Sequence, residues 1–403
     1  MSTFSGFFDE IPNISADRFC DENLYRSKLF FLSHCHTDHM KGLWSGTQLP
    51  EPLYASEITA IILRKKYPNI TDIRTLEIET SYELEVPDED GVLKKLVVTT
   101  LPAYHCPGSV MFIFETETST ILYTGDFRRV LLFSKFFKLE LVIPLRLSKQ
   151  NFNKLHPLAD KKIDVVYLDS TFLDERFQHF PPQMESVKTI VTLADEWLRL
   201  DEDRKVLIET PAHYGYEYLF MELGRRLGCK IHVDQRKWEE YIYIPVMDDY
   251  ISQNESECRI FTVLKRGCHD LRTRRNVRLI APTAYYWEYW KEGDPIYKDF
   301  DDKGIRVPLS NHSSLTEIRD FLEYIQPGEV KMNVVEEGKQ KRAPLLENML
   351  RDIRKENVCS TDEMHNLTSL FNPKTIFTLP RSFFSQAEEK DCSKESKFKT
   401  LPK

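Results

Sequence analysis

The run His34-Cys35-His36-Thr37-Asp38-His39 constrains this chain more than any other stretch. It follows the apolar hexapeptide KLFFLS at 28–33, which reads as a short buried strand, so the histidines fall where a strand ends and a loop begins. Residues two apart in extended backbone share a face, so His34 and His36 can hold one cation together. A turn at Thr37 would then aim Asp38 and His39 at a second position close by. Imidazole and carboxylate are the donors that zinc and similar borderline cations take. Histidine makes up only 11 of 403 residues, so three within six positions is improbable as a chance polar loop. Cys35 points to the other face and reads as a packed thiol.

Two later sites share this placement. His105, in Tyr104-His105-Cys106-Pro107-Gly108, follows the β-branched run 94–101, and Asp126, in Gly125-Asp126-Phe127-Arg128, follows a predicted hairpin of 110–114 and 120–124. A further apolar strand at 163–168 runs into Asp169. Strand ends rich in His and Asp collect such side chains at one edge of a sheet. The region beyond changes character: a helix over 184–199, a strand at 205–209, a helix over 215–227 stopped by Gly228, and a strand in CKIHV. This is a βαβ pattern with parallel pairing, so the chain reads as α/β. A last helix, 313–325, follows Asn311-His312-Ser313-Ser314.

A formal net charge of −8 gives no global attraction to nucleic acid, so any such contact needs a local basic patch. The candidate is Arg259, Lys265, Arg266, Arg272, Arg274, Arg275 and Arg278. The aromatics at 285–290 alternate as a core strand would, with stacking on unpaired bases as the other reading. Eight cysteines form no C-x-x-C pair and no secretory leader precedes them, so free thiols in a reducing compartment and a soluble, intracellular protein are expected. The apolar stretch 131–147 is interrupted by charges and proline and is not a membrane span.

In order, these motifs resemble those of the metallo-β-lactamase superfamily: H-x-H-x-D-H, a later His and a later Asp. The resemblance implies an αββα sandwich with one zinc held by His34, His36, His105 and Asp126. It implies a second ion held by Asp38, His39 and the bridging Asp126, with Mg2+ or Mn2+ as alternatives there. Asp17 matches an earlier acidic motif that supports the ligands. Tyr167-Leu168-Asp169-Ser170-Thr171-Phe172 and Asn311-His312-Ser313-Ser314 match two motifs of the β-CASP insertion, found in nucleic-acid-processing members. Val334 stands where RNA-cleaving members carry histidine. The chain is similar to the hairpin-opening branch of the SNM1 group over roughly half its length. That similarity assigns catalytic roles to Asp17, Asp38, Asp169 and His312, with Ser313 and Ser314 donating hydrogen bonds to a phosphate.

The implied organisation is a metallo-β-lactamase domain over 1–168, a β-CASP domain over 169–309, a return over 310–345 and a largely disordered extension over 346–403. Residues 130–150 are an unplaced insertion. The implied function is a zinc-dependent DNA nuclease, endonucleolytic or 5′-exonucleolytic, acting on ends, hairpins and overhangs in double-strand-break (end-joining) or cross-link repair. Zinc-bound hydroxide would attack the phosphodiester. DNA is the expected partner of a nuclear monomer with no membrane contact, and repair-complex proteins enter by resemblance alone. The competing readings are an RNA-processing β-CASP endonuclease and a weakly catalytic scaffold at DNA ends. Against the group's pattern, Pro211 replaces a lysine. Of the four residues implied for a structural zinc, His232 fits one position, whereas Phe261 and Val263 fill two.

Overall fold

The structure is a computed structural model, and it describes residues 2–88, 90–128, 158, 161–263, 274–300, 304–334 and 342–355. The 130–150 insertion and Lys265, Arg266 and Arg272 of the basic segment lie outside these residues.

Alternation along the first strands builds a layered sandwich. The first sheet comprises β1 (Phe7–Phe8), β2 (Ile11–Ala16), β3 (Leu29–Leu32), β4 (Leu53–Ser56) and β5 (Ile73–Leu76), in that order, with α1 (Glu22–Arg26) and α2 (Glu57–Lys66) between strands. All its pairs are parallel except β1 with β2. The second sheet is built from β6 (Ser81–Pro87), β7 (Leu93–Pro102), β8 (Val110–Glu115), β9 (Thr120–Tyr123) and β10 (Val165–Leu168). In β3, Leu29 and Phe31 face the second sheet, joining Phe112, Phe114, Val98 and Tyr123 in one core, whereas Phe30 and Leu32 turn to the other side and join Ala60, Ile62 and Leu63 of α2. Period-two side-chain direction thus feeds two cores from one strand. The rings of Phe31 and Phe114 meet at 4.9 Å, near edge-on.

After β10 the chain builds a third sheet. Its elements are α3 (Gln183–Leu198), β11 (Lys205–Glu209), α4 (Glu217–Leu227), β12 (Lys230–His232), α5 (Gln235–Tyr241), β13 (Ile251–Ser252), β14 (Cys258–Val263), β15 (Val277–Thr283), β16 (Lys298–Asp299) and β17 (Gly304–Pro308). The strand order is β13-β12-β14-β11-β15-β17-β16, parallel except β16 with β17. The βαβ unit read from sequence is parallel, but β14 lies between its two strands. Gly228 caps α4 in the left-handed conformation, φ 64. Then α6 (Leu315–Ile325) covers the outer face of the second sheet, and β18 (Glu329–Met332) pairs in parallel with β10.

Three expectations need correction. Residues 284–290 form turns beyond β15 and not a strand: Trp287 and Trp290 are buried, whereas Tyr285, Tyr286 and Tyr289 are exposed. The boundary drawn between 345 and 346 falls inside a helix, because 342–353 is helical and buries Leu346, Met349 and Ile353 against the second sheet. The basic segment is not a free loop at its ends, since Arg259 lies on β14 and Arg278 on β15, two inner strands of the third sheet, each arginine half-buried. Met1–Ile353 form one compact unit; of the second, Arg354–Lys403, only Arg354 and Lys355 are described. The five described cysteines are all free thiols, and among the described residues no helix is long and apolar enough to cross a membrane.

Candidate metal centre

Five imidazoles and one carboxylate converge where the strands end. His34, His36 and His39 come from the loop after β3, His105 from the loop after β7, Asp126 from the loop after β9, and His312 from the loop between β17 and α6. Gly125 makes the meeting possible: at φ +53, a Cβ there would lie 2.8 Å from Ser33, so only glycine lets the Asp126 loop pass beside His34. Asp126 is the hub. Its Oδ1 lies 3.2 Å from His39 Nε2, and its Oδ2 lies 3.7, 3.5 and 3.9 Å from the Nε2 atoms of His34, His105 and His312. His36 Nδ1 stands 3.1 Å from His34 Nε2 and 2.9 Å from His105 Nε2.

Each ring has its outer nitrogen fixed by an acceptor, which decides the tautomer. Ser33 donates both its N–H and its hydroxyl to Asp17, so its oxygen accepts from His34 Nδ1 at 2.9 Å. His39 Nδ1 donates to Asp17 Oδ2 at 2.7 Å, and Tyr123 donates to the same oxygen. His36 Nε2 meets the Tyr214 carbonyl at 3.3 Å, His105 Nδ1 the Asn311 carbonyl at 2.9 Å, and His312 Nδ1 the Asp169 Oδ2 at 2.8 Å. Carbonyls and carboxylates only accept, so the proton sits outside and the lone pair points inward. His39 Nε2 is buried and has no hydrogen-bond partner. An inward set of lone pairs around one carboxylate, with every outer N–H occupied, is what a metal site requires. These residues fit a metal ion.

The charge states divide the rings into two groups. Burial holds His34 well below its ordinary value and takes His36 to about 3 and His105 to about 4, so these rings are neutral and able to ligate. Burial opposes ionisation of Asp126, but His39 and His312 overcome it and keep the carboxylate charged. For His39 and His312 burial also resists the proton, yet Asp126 for the first and Asp169 for the second raise them.

Other site residues take distinct places. Asp17 adopts a left-handed backbone, φ 55, and collects four donors from Ser33, His39 and Tyr123. Asp38 lies at the rim, 3.9 Å from His39 Nε2, with its Oδ2 accepting the Ser2 N–H at 2.9 Å. Asp169 is locked by Thr171 through Oδ1, leaving Oδ2 for His312. Ser313 and Ser314 are buried and engaged: the Ser313 hydroxyl donates to the Phe127 carbonyl, and Ser314 caps α6 in a reciprocal box with Glu317. Their hydroxyls are thus not positioned for the phosphate contact read from sequence. Val334 is buried and binds Ser170 through its main chain.

The described arginines of the basic segment lie away from this centre. Arg259 and Arg278 begin β14 and β15, whereas Tyr214 and Asn311 follow the far ends of the parallel strands β11 and β17. About five strand residues, roughly 17 Å, separate those edges. Arg259 is spent on the carbonyls of Leu198, Asp201 and Arg204, and Arg278 lies over Trp197, while Arg274 and Arg275 stand exposed before β15. One residue near the centre was missed, and one was read in another role. Cys106 lies within the His34, His36 and His105 group, and His312 groups with His105 and Asp126 as a candidate ligand. The adjacency of Cys106 to His105 was the available signal for the first; the motif at 311–314 marked His312 as catalytic and not as a ligand. Every potential metal group among the described residues belongs to this centre, and His232 packs on the Phe261 ring.

A fold of two facing sheets with helices outside, its strand-end histidines gathered on an aspartate, defines a metallo-β-lactamase protein. Comparison with known proteins agrees. Residues 254–338 match the family described as DNA repair metallo-beta-lactamase. The chain is 35% identical to protein artemis of Gallus gallus over 88% of its length and 51% of that protein. It is 34% identical to protein artemis of Homo sapiens, covering 84% and 50%, and 25% identical to the DNA cross-link repair 1A protein of Homo sapiens, covering 86% and 32%. It therefore spans about half the length of its Artemis relatives. The chain is an Artemis-like member of the SNM1 group of the metallo-β-lactamase superfamily.

Proposed function

We propose that this chain is a metal-dependent DNA nuclease that hydrolyses phosphodiesters at DNA ends, hairpins or overhangs during DNA repair in the nucleus. The observation that carries the reading is the five imidazoles with outer nitrogens occupied and inner ones turned together, four of them within 4 Å of Asp126. Zinc is the ion the donor set favours, with His34, His36, His105 and Asp126 holding it, and a second ion falls to Asp38, His39 and Asp126. When bound, the metal supplies Lewis acidity that makes water nucleophilic near neutral pH and offsets phosphoryl charge.

The chain's own residues do the rest. Asp169 orients His312 and favours its charged form, in which Nε2 also carries a proton, so Nε2 can protonate the oxygen that leaves as the P–O bond breaks. Asp17 keeps His39 in one tautomer. The stretch 169–309 forms the β-CASP domain, which lends the site the Tyr214 carbonyl; Asn311 and His312 stand at the start of the return. DNA is favoured over RNA by the names of the relatives and by Val334, where RNA-cleaving members carry histidine. The deciding assay presents purified protein with 5′-phosphorylated single strands, hairpins and overhangs beside matched RNA, with metal content measured on the same sample. Metal-dependent DNA cleavage is expected. Preferential RNA cleavage, or metal-replete protein that binds DNA without turnover, would overturn the reading.

A further inference from the structure

We propose that Asn311 is a positioning residue for the metal centre, whose side-chain amide ties together the two main-chain carbonyls that orient His36 and His105. The inference rests on reading the histidine cluster as a metal site. His36 and His105 are set by acceptors from two segments far apart in sequence: the Tyr214 carbonyl after β11 and the Asn311 carbonyl after β17. The first carbonyl follows a strand of the third sheet, and the second lies where the chain passes from that sheet to α6. Asn311 Nδ2 donates to the Gly215 carbonyl at 2.9 Å, the peptide next to Tyr214, so one side chain links both segments.

The link is braced on each side. Gln183, at the start of α3, donates to Asn311 Oδ1 at 3.0 Å and to the Ser310 carbonyl at 2.8 Å. Arg128, two residues beyond Asp126, also donates to the Ser310 carbonyl. Glu217, buried in the first turn of α4, accepts the Gly215 N–H on both oxygens at 2.9 and 3.0 Å. The approach leaves no spare room: Gly215 sits at φ +103, and a Cβ there would fall 2.3 Å from Asn311 Nδ2. An acceptor held on the outer nitrogen fixes ring orientation and raises ligand basicity, and losing such a partner weakens metal binding about 10- to 100-fold. Asn311 touches no substrate and no inner nitrogen; it acts through where it holds the carbonyls.

The test is metal affinity, read by competition with a chromophoric chelator, together with the melting temperature of the metal-stripped protein. Asn311→Asp keeps the shape but replaces the donor with an acceptor facing the Gly215 carbonyl. It should bind Zn2+ about 10-fold more weakly while the stripped protein melts within a few degrees of wild type. Gln183→Ala, which frees the Asn311 Oδ1 and one bond to the Ser310 carbonyl but leaves the Gly215 link, should show a smaller loss of the same sign. Wild-type affinity in folded Asn311→Asp overturns the proposal. Should Asn311→Asp not fold, unchanged affinity in Gln183→Ala overturns it instead. A wild-type protein that fails to retain Zn2+ sinks the metal reading itself, a different result from tight binding that ignores Asn311.

Discussion

His312 donates its Nδ1–H to Asp169 Oδ2 at 2.8 Å, across 143 residues of sequence, while its Nε2 looks toward Asp126. Two carboxylates therefore address opposite nitrogens of one ring. The ring is held in one orientation, and its charged form is favoured by both.

Replacing Asp169 with Asn should release that orientation. Cleavage is expected to fall about 10²- to 10⁴-fold, with metal content close to wild type because neither proposed ion is assigned to His312. Turnover and bound metal measured on one preparation check this. Full turnover would remove His312 from proton transfer.

Asp126→Ala removes the one group within 4 Å of four imidazoles. Elemental analysis should find metal lost, and chelating wild-type protein should lower its melting temperature as well as its activity. A ligand held a thousandfold above its dissociation constant contributes about 4 kcal/mol to folding stability. Equal melting with and without chelator would contradict a loaded centre.

Ser314 is a helix cap. Ser314→Ala should cost about 1 kcal/mol of stability, seen as a lower denaturation midpoint, and Ser314→Asn should restore it. KM for DNA should stay constant across the three proteins. A KM that rises in step with lost hydroxyl would return Ser314 to the phosphate.

Lys237 gives a pH signature away from the metal. Burial lowers its amine from 10.5 to about 8 against Glu217, Asp234 and Glu240, which raise it, and Nζ donates to Thr210 Oγ1 at 3.1 Å. Between those two values the unfolded chain binds the extra proton. Stability should therefore be insensitive to this group below about pH 8 and rise above it, by on the order of 1–3 kcal/mol. Urea midpoints at pH 7 and pH 9.5 should diverge in wild type and do so less in Lys237→Met.

What the sequence made legible was local. The spacing of His34, His36, Asp38 and His39 survives any fold that ends a strand at Leu32, and the runs at 94–101 and 110–114 carry their period on their face. What stayed hidden depends on partners chosen by tertiary packing. Ser313 and Ser314 look like phosphate donors until Phe127 and Glu317 take their hydroxyls. Arg259 and Arg278 look like a free patch until two strand starts carry them to the sheet's other edge. The 285–290 aromatics alternate as a strand would, yet their ladder partners were never specified by that pattern. The acceptor on His105 comes from 206 residues away, and no spacing rule reaches that far.

The strands β10 and β18 lie side by side in parallel, and the whole third sheet is threaded between them. The chain leaves the second sheet at Asp169 and comes back at His312, and the 2.8 Å bond between those two side chains holds entry and exit together. A graft held by such a paired stem can lengthen, shorten or change its surface without shifting the register of the host sheet. Variation in what the chain grips can accumulate there over evolutionary time, while the inherited histidine cradle keeps its shape.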